Sequence, residues 1–169
     1  MAKIYLSTFS SPIGNLMIAS NNKGICKLST TREDEGEVRR WLNGCYPGIP
    51  QLVDSAAHEQ VIAELKAYFA GQLQQFNVPL DLRGTTFQLT AWQALLDIPY
   101  GEVRSYQQQA IALGNSKAVR AVGGANNKNP IAIIVPCHRV IGKNGALVGY
   151  GGGLEMKEYL LNLEGVKRP

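Results

Sequence analysis

The chain has 169 residues, of which 45% are hydrophobic and 18% charged, as in a globular protein with one large or two small cores. No apolar stretch approaches the roughly 20 residues of a membrane span, and the N-terminus lacks the apolar core of a signal peptide, so we expect a cytoplasmic protein without membrane contact. The net charge of +4 comes from residues 84–169, which hold nine basic and five acidic side chains.

The first part of the chain predicts a small β-meander with helices. Three short segments rich in β-favouring residues are separated by turn residues, at positions 3–9, 16–20 and 25–29. Residues 33–42 are charged and helix-compatible. A second helix is predicted to begin at Asp54 or Ser55 and to end near Ala70, because apolar residues recur there at helical spacing. His58 lies in its first turn, where we expect a surface or capping role.

Residues 81–84 have the composition of a linker, and we place a domain boundary after residue 83. The fold class is then α+β. Residues 1–83 form a structural domain of sheet and helix, and residues 84–169 form a mainly helical domain. This second domain begins with a helix over residues 86–97, capped by Thr85 or Thr86. Its inward-facing residues are predicted to be Phe87, Trp92, Leu95 and Leu96.

Two short helices follow, over residues 105–114 and 117–126, and predict a helix-turn-helix. The pattern alone also fits an αα-hairpin that does not touch DNA. The second helix is rich in small residues, and its adjacent Gly123 and Gly124 cost roughly 2 kcal/mol of helix propensity relative to alanine. This composition favours close approach of a ligand to the helix backbone, or else tight packing against another helix. Arg120 stands alone as a long side chain in this small-residue surface.

The stretch from Ile131 onward carries the strongest chemical signal. Residues 131–135 are apolar and predict a buried strand, which Pro136 ends. If Pro136 opens a helical turn, Cys137 lies near free backbone N–H groups that lower a thiol pKa. His138 adds a base and Arg139 a fixed positive charge, which together favour an activated nucleophile. The alternative is an inert buried cysteine.

Six basic side chains lie between residues 101 and 153, against the single acid Glu102. They are Arg104, Lys117, Arg120, Lys128, Arg139 and Lys143. The excess predicts a polyanion-binding region, although a solvated surface has the same composition. If four to six phosphates are neutralised, the log–log salt slope is about −4 to −5.

No metal or organic cofactor is predicted. The first domain offers only Cys26, Cys45 and His58 as soft ligands, without a C-x-x-C pair. The glycine-rich residues 147–153 lack the spacing of a nucleotide-binding loop. A last helix is predicted over residues 155–163, with Gly165 as its stop.

The sequence Pro-Cys-His-Arg-Val at residues 136–140 resembles the acceptor motif of the O6-alkylguanine-DNA alkyltransferases. The resemblance extends over residues 105–165 and includes Ser-Tyr-Gln-Gln at 105–108, Arg-Ala-Val-Gly-Gly-Ala at 120–125, Asn-Pro at 129–130, Tyr150 with its glycines, and Leu-Glu-Gly at 163–165. Five motifs in one order are far harder to obtain by chance than one. Some relatives bind zinc through two cysteines and two histidines, a set that this chain does not supply.

The resemblance implies irreversible, single-turnover transfer of an alkyl group from O6 of guanine in double-stranded DNA to Cys137. His138 would be the base through a water, Glu164 would orient it, and Tyr106 would donate to a guanine ring nitrogen. The carbonyl of Val140 would accept from the guanine amino group. Tyr150 and Gly151 would wall the pocket, and Asn129 would hold the turn before the acceptor segment. Where some relatives have serine or alanine after the tyrosine, Gly151 leaves only a backbone N–H to approach O6.

On the DNA side, the resemblance implies that Arg120 enters the base stack while the damaged nucleotide is flipped out, with the small-residue helix in the minor groove. The expected DNA contacts are Ser105, Asn115, Lys117, Arg120, Ala121, Gly123 and Gly124. We expect a monomer; activity on O4 of thymine stays open. There are two alternative functions. An alkyltransferase-like damage-binding protein would lack the acceptor cysteine, and a cysteine hydrolase would turn over.

Overall fold

The computed structural model describes residues 2–167 and divides into two compact units between Arg83 and Gly84. The first unit is built on a four-stranded sheet of order β3-β2-β1-β4. Strands β1 (Ile4–Ser11), β2 (Gly14–Ser20) and β3 (Ile25–Leu28) pair antiparallel in sequence, so the predicted meander is present. A short strand, β4 (Gln51–Val53), which the sequence did not predict, pairs parallel with β1.

Two helices complete the first unit. Helix α1 (Glu35–Cys45) is capped by the Asp34 side chain. Helix α2 (Glu59–Phe69) follows a 3-10 turn, Ser55–His58, which is itself capped by Asp54. The predicted single helix from residue 54 to 70 is therefore two pieces. His58 is the last residue of this 3-10 turn, and its imidazole ring is buried.

His58 is 1% exposed, so the predicted surface role was wrong; the residue does occupy the N-cap position of α2, although its side chain makes no capping hydrogen bond. Its Nδ1 lies 2.5 Å from Ser7 Oγ, and its Nε2 lies 2.7 Å from Ser20 Oγ. Both ring nitrogens are satisfied by hydroxyls of the sheet, which makes burial of the imidazole tolerable. Burial lowers the pKa of His58, and the nearby Asp54 charge opposes this shift.

The second unit contains the remaining helices. They are α3 (Thr86–Leu96), α4 (Tyr106–Ala112), α5 (Val119–Asn127) and α6 (Leu154–Leu163). Two-residue strands β5 (Arg104–Ser105) and β6 (Val140–Ile141) pair parallel. The α+β fold class, with a sheet unit followed by a mainly helical unit, is confirmed. The prediction that Phe87 faces inward was wrong. It lies in the first turn of α3 and is 37% exposed, one turn before the buried stripe begins at Ala91.

Helices α4 and α5 are joined through buried polar groups. The side chains of Gln109 on α4 and Asn126 on α5 exchange two hydrogen bonds, of 3.0 and 2.8 Å. Trp92 of α3 donates its ring N–H to the carbonyl of Ala125 across 2.8 Å. These buried bonds fix the crossing of the pair, because breaking one leaves an unpaired amide in the core. The second helix of the pair begins at Val119, so the predicted start at residue 117 was two residues early.

Residues 131–135 are buried as predicted, but they form turns and not a strand. The N–H of Val135 donates to the carbonyl of Ile131 across 3.0 Å, and the N–H of Ile134 to that of Ala132 across 2.8 Å. Ile133 has a φ of 70°, a left-handed conformation that costs a branched residue free energy. An apolar run predicts only that its side chains are buried. A buried turn satisfies that prediction as well as a strand does.

Candidate active site and nucleic-acid interface

Cys137 is the first residue of a 3-10 turn, Cys137–Arg139. Pro136 was predicted to occupy the first position of a helical turn. In the structure it precedes the turn. The N–H of Cys137 donates to the carbonyl of Val135 across 2.9 Å. The side chain is nearly buried, at 8% exposed. The pair of strands β5 and β6 begins where this turn ends and ties the acceptor segment to the start of α4.

Burial raises the pKa of the Cys137 thiol, and the hydrogen bond from Asn129 and the charge of Lys157 oppose that rise. The expected net lowering by a helical turn was therefore wrong for the protein without substrate. A side-chain amide and a buried ammonium group act together with the backbone N–H of Cys137 against the effect of burial. Both groups favour the thiolate over the thiol, because they interact more strongly with a negative sulfur.

Asn129 organises the segment around the sulfur. Its Nδ2 donates to Cys137 Sγ across 3.1 Å and to the carbonyl of Val135 across 2.7 Å. Its Oδ1 accepts from the N–H of Ile131 across 3.0 Å. One side chain thereby closes the turn that leads from α5 to the cysteine and also contacts its sulfur.

His138 is fully buried and lies in a charged triad. Its Nε2 is 2.7 Å from Glu164 Oε2. Arg139 contacts both oxygens of the same carboxylate, with Nε 2.8 Å from Oε1 and Nη2 3.1 Å from Oε2. Arg139 Nη1 donates to the carbonyl of Ile98 across 2.7 Å, and the N–H of Gly101 donates to Glu164 Oε1 across 3.3 Å. Arg139, expected as a positive charge beside the thiol, is instead the buried partner of Glu164.

The triad fixes the tautomer of the imidazole. Although burial opposes ionisation, the hydrogen bonds and charges of His138 and Arg139 lower the pKa of Glu164 to about 2. An ionised carboxylate only accepts hydrogen bonds, so Nε2 of His138 must carry the proton that it donates. Burial lowers the pKa of His138, the carboxylate opposes this, and Arg139 and Lys157 reinforce it. Neutral His138 then has its lone pair on Nδ1, which has no partner among residues 2–167.

Lys157 was not predicted as a site residue. It is fully buried on α6, and its ammonium group donates to the carbonyl of Val140 and, across 3.0 Å, to that of Val148. Burial lowers its pKa to about 8, although the nearby Cys137 opposes this. The sequence signal is its place on one helical stripe with the buried residues 160, 161 and 164, where a lysine must meet an internal partner.

Tyr106 is the first residue of α4, where Ser105 caps the helix by accepting from the N–H of Gln108 across 3.0 Å. The Tyr106 hydroxyl donates to the carbonyls of Val148 and Gly149, at 2.9 and 3.2 Å. Burial, reinforced by the nearby Cys137, raises the pKa of Tyr106 to about 12. The hydroxyl therefore stays protonated at neutral pH and is a donor.

The glycine-rich loop passes close over Tyr106. Gly149 has a φ of 60°, and a Cβ placed there would lie 3.3 Å from the Tyr106 hydroxyl. A Cβ on Gly151 would lie 3.2 Å from the carbonyl of Asn127. Tyr150 between them is 8% exposed. The glycines allow this close approach, which a bulkier side chain would prevent.

Helix α5 presents a face of small residues to solvent. Arg120, Ala121 and Gly124 are exposed, and Gly123 is half-buried. A Cβ on Gly124 would meet nothing within 4 Å, so packing against another helix does not explain this glycine. Asn115 lies in the turn between the helices, where its side chain accepts from the N–H of Lys117 across 3.1 Å.

Four of the six basic residues remain available for phosphates. Arg139 is buried with Glu164, and Arg104 lies 3.2 Å from Glu102. The exposed four are Lys117, Arg120, Lys128 and Lys143. The polyanion-binding surface is consequently smaller than the sequence predicted.

Within residues 2–167, no group of three or more histidine, cysteine, aspartate or glutamate side chains is arranged to hold a metal. Among the same residues, no helix has both the length and the apolar character needed to cross a membrane.

Comparison with known families gives matches over both units. The ribonuclease-like domain of 6-O-methylguanine DNA methyltransferase matches residues 4–82, and the DNA binding domain of the same protein matches residues 86–166. A methylated-DNA--protein-cysteine methyltransferase of Methanosarcina acetivorans is 46% identical and aligns over 96% of this chain and 99% of its own length. The protein of that name from Mycobacterium tuberculosis strain H37Rv is 47% identical over 98% of this chain and 95% of its own.

Solved structures agree with the sequence matches. The crystal structure of the Mycobacterium tuberculosis O6-methylguanine methyltransferase has a TM-score of 0.83 at 46% identity, covering 100% of this chain and 96% of that chain. A structure of Mycobacterium tuberculosis OGT in complex with DNA has a TM-score of 0.81 at 46% identity, covering 95% of this chain and 92% of that chain.

Proposed function

The chain belongs to the 6-O-methylguanine DNA methyltransferase family, and from this premise we propose that Cys137 accepts an alkyl group from O6 of guanine, once per molecule. The protein is a methyltransferase that binds double-stranded DNA and repairs it by direct reversal. The observation that carries the assignment of residues is the fixed tautomer of His138. Its Nε2 is hydrogen-bonded to Glu164, so its Nδ1 carries the lone pair. His138 directly follows Cys137 in the chain.

The thiol proton of Cys137 passes to Nδ1 of His138 through a water. The sulfur then attacks the alkyl carbon, an S–C bond forms, and the C–O6 bond breaks with its electron pair going to guanine. Tyr106 donates its hydroxyl proton to a guanine ring nitrogen, and the imidazolium proton replaces it. General acid–base steps of this kind contribute about 10²–10⁴-fold each.

The surrounding groups hold the base. The carbonyl of Val140 has a second lone pair beside the bond from Lys157 and accepts from the guanine amino group. Tyr150 walls the pocket, and the backbone N–H of Gly151 approaches O6. Asn129 holds the turn and stabilises the attacking sulfur.

Binding to DNA is assigned to the second unit. Arg120 fills the stack from which the damaged nucleotide is flipped, a step that costs a few kcal/mol. Ala121, Gly123 and Gly124 let the backbone of α5 approach the minor groove, where wide side chains would not fit. Ser105, Asn115 and Lys117, at the first helix and the turn, contact phosphates. Residues 84–169 are then the DNA-binding alkyltransferase domain and residues 1–83 a structural domain.

A DNA substrate and a free thiol acceptor both suit the cytoplasm, and we place the protein there as a monomer that associates with the nucleoid when bound. Single turnover follows because a thioether has no low-pKa leaving group.

The decisive experiment is intact and peptide mass spectrometry after incubation with duplex DNA that contains O6-methylguanine. We expect a gain of one methyl group on the peptide with Cys137 and none in Cys137→Ser. Cys26 is the internal control, because burial raises the pKa of its thiol to about 12. Methylation at Cys26 or Cys45, or several turnovers per molecule, contradicts the proposal.

A further inference from the structure

The residue that the proposed function leaves without a role is Arg139. Its guanidinium donates three hydrogen bonds inside the protein, two to the oxygens of Glu164 and one to the carbonyl of Ile98. It is 7% exposed and its guanidinium lies 5.8 Å from the ring centre of Tyr100. An arginine held this way is unavailable to DNA, and its partner is the carboxylate that touches His138.

The shared carboxylate has consequences for the imidazole. Glu164 Oε2 accepts from both Nε2 of His138 and Nη2 of Arg139, and Oε1 accepts from Nε of Arg139. With both oxygens engaged in the plane of the guanidinium fork, the carboxylate has a fixed orientation toward the ring. The fixed orientation keeps a lone pair of Glu164 directed at Nε2 of His138.

Charge balance has a second consequence. A buried carboxylate facing only an imidazole is stabilised when the ring becomes imidazolium, because an isolated buried charge is costly. Arg139 already cancels the charge of Glu164, so a proton on His138 would leave the triad with a net positive charge. The charged groups that act on the ring are Lys157 from α6, Glu164 at the C-cap of that helix, and Arg139 from the same turn as His138. Tyr100, between α3 and α4, faces Glu164 and Arg139.

We propose that Arg139 is a positioning residue for alkyl transfer: its grip on Glu164 fixes the His138 tautomer that takes the thiol proton, and its charge drives that proton onward. This inference rests on the proposed function. Arg139 exchanges no proton itself. It keeps His138 neutral before the attack, and it favours return of the imidazolium proton to Tyr106 after the alkyl group has moved.

The first test uses the unmodified protein. Heteronuclear NMR of ¹³C-labelled His138 at neutral pH is expected to show a neutral ring protonated on Nε2. An imidazolium, or the Nδ1–H tautomer, at neutral pH overturns the proposal without any variant.

The second test measures the rate of Cys137 alkylation by the free base O6-benzylguanine against pH. In Arg139→Gln the charge is lost, His138 holds its proton to higher pH, and the acid limb is expected to move up by at least one pH unit. Below that limb the variant is then at least tenfold slower than the parent. A loss of rate by the same factor at every pH, with an unmoved limb, means that Arg139 only supports the fold and overturns the proposal.

Arg139→Lys separates the effect of the positive charge from the effect of the two-point contact with Glu164. The same variant tests the proposal if Arg139→Gln does not fold. It retains the charge, so the acid limb should stay in place. It loses the fork, so the plateau rate should fall at least threefold. A plateau equal to that of the parent, or a limb shifted by one unit, overturns the corresponding half of the mechanism.

Lys27→Gln is the matched control. Lys27 is also nearly buried, at 4% exposed, and ion-paired, at 2.6 Å from Glu33, but it lies in the first unit. Its loss should lower the melting temperature without moving the pH profile. Failure of the parent protein to alkylate Cys137 at all would instead refute the proposed function.

Discussion

The side-chain amide nitrogen of Asn129 lies 3.1 Å from the sulfur of Cys137 and 2.7 Å from the carbonyl oxygen of Val135. The same residue accepts from the N–H of Ile131 through its oxygen. A structural turn and the environment of a thiol therefore depend on one amide group. Two different measurements on a variant of Asn129 report the two effects separately.

For Asn129→Ala, we expect the unfolding free energy to fall by about 2 kcal/mol, because the buried N–H of Ile131 loses its partner and the carbonyl of Val135 loses one donor while keeping the N–H of Cys137. The Cys137 pKa should also rise, since the hydrogen bond that opposes burial is gone. Denaturant unfolding and the pH dependence of alkylation by O6-benzylguanine measure the two effects. Asn162→Ala, an exposed position on α6, should change neither; an unchanged pH profile in Asn129→Ala would refute the role at sulfur.

The Glu164 carboxylate should contribute stability that depends on pH. Its pKa is lowered to about 2 in the folded protein, from an ordinary value of 4.5. The contribution is therefore complete above pH 4.5 and is lost as the pH falls toward 2. Glu164→Gln should lower the unfolding free energy at pH 7 by about 3 kcal/mol, since Arg139 is left buried without its counter-charge.

Urea unfolding between pH 2 and pH 7 tests this prediction. The difference between the parent and Glu164→Gln should shrink as the pH falls through that window. Glu155→Gln, at an exposed site in the first turn of α6, should stay within about 0.5 kcal/mol of the parent. A constant difference for Glu164→Gln at all pH values would contradict the shifted pKa.

Arg120→Ala should slow repair of duplex DNA by at least about tenfold, corresponding to roughly 1.4 kcal/mol, because the vacated stack is no longer filled. Reaction with O6-benzylguanine needs no flipping and should fall far less. Lys128→Ala, which removes another exposed cation of the same unit, should weaken duplex binding without this contrast. Equal losses of Arg120→Ala on both substrates would mean that Arg120 supports the pocket.

Gly124 should show opposed effects on stability and binding. Gly124→Ala is expected to raise the unfolding free energy by about 0.5–1 kcal/mol, since the site is helical and open. Gly124→Leu should weaken duplex binding at least tenfold if α5 lies in the minor groove. Gly44→Ala in α1, where a Cβ also meets nothing within 4 Å, should stabilise the protein and leave binding unchanged. Full affinity in Gly124→Leu would remove α5 from the groove.

The salt dependence of duplex binding should match the four exposed cations of the second unit. Neutralising three or four phosphates gives a log–log slope of about −3 to −4, smaller than the sequence alone implied. Fluorescence anisotropy with a duplex between 50 and 300 mM salt measures the slope. A slope near zero would refute the phosphate contacts, and one steeper than about −5 would require cations outside the exposed four.

Local chemistry allowed several elements to be predicted from the sequence. The side chains of Thr85 and Ser105 cap their helices within three residues of themselves, and turn residues separate the strands of the meander. Such signals act between near neighbours, so they can be recognised without knowing the fold. The motif around Cys137 likewise carried the family, because its residues are contiguous.

Burial and charge pairing could not be predicted in this way. His58 was expected at the surface, and Arg139 was counted among the DNA-facing charges, whereas both are buried and paired. Lys157 was missed because the carbonyls that accept from it lie on other segments.

By itself, the sequence determined the fold class and the family, and it predicted Cys137 as the acceptor. Only the tertiary structure decided which nitrogen of His138 carries the lone pair, because that choice depends on a carboxylate 26 residues away and on the arginine that shares it. Residues so far apart in the chain meet only after the second unit has folded. Once they are removed from water, their charges and proton positions are set by one another, and no local pattern records this.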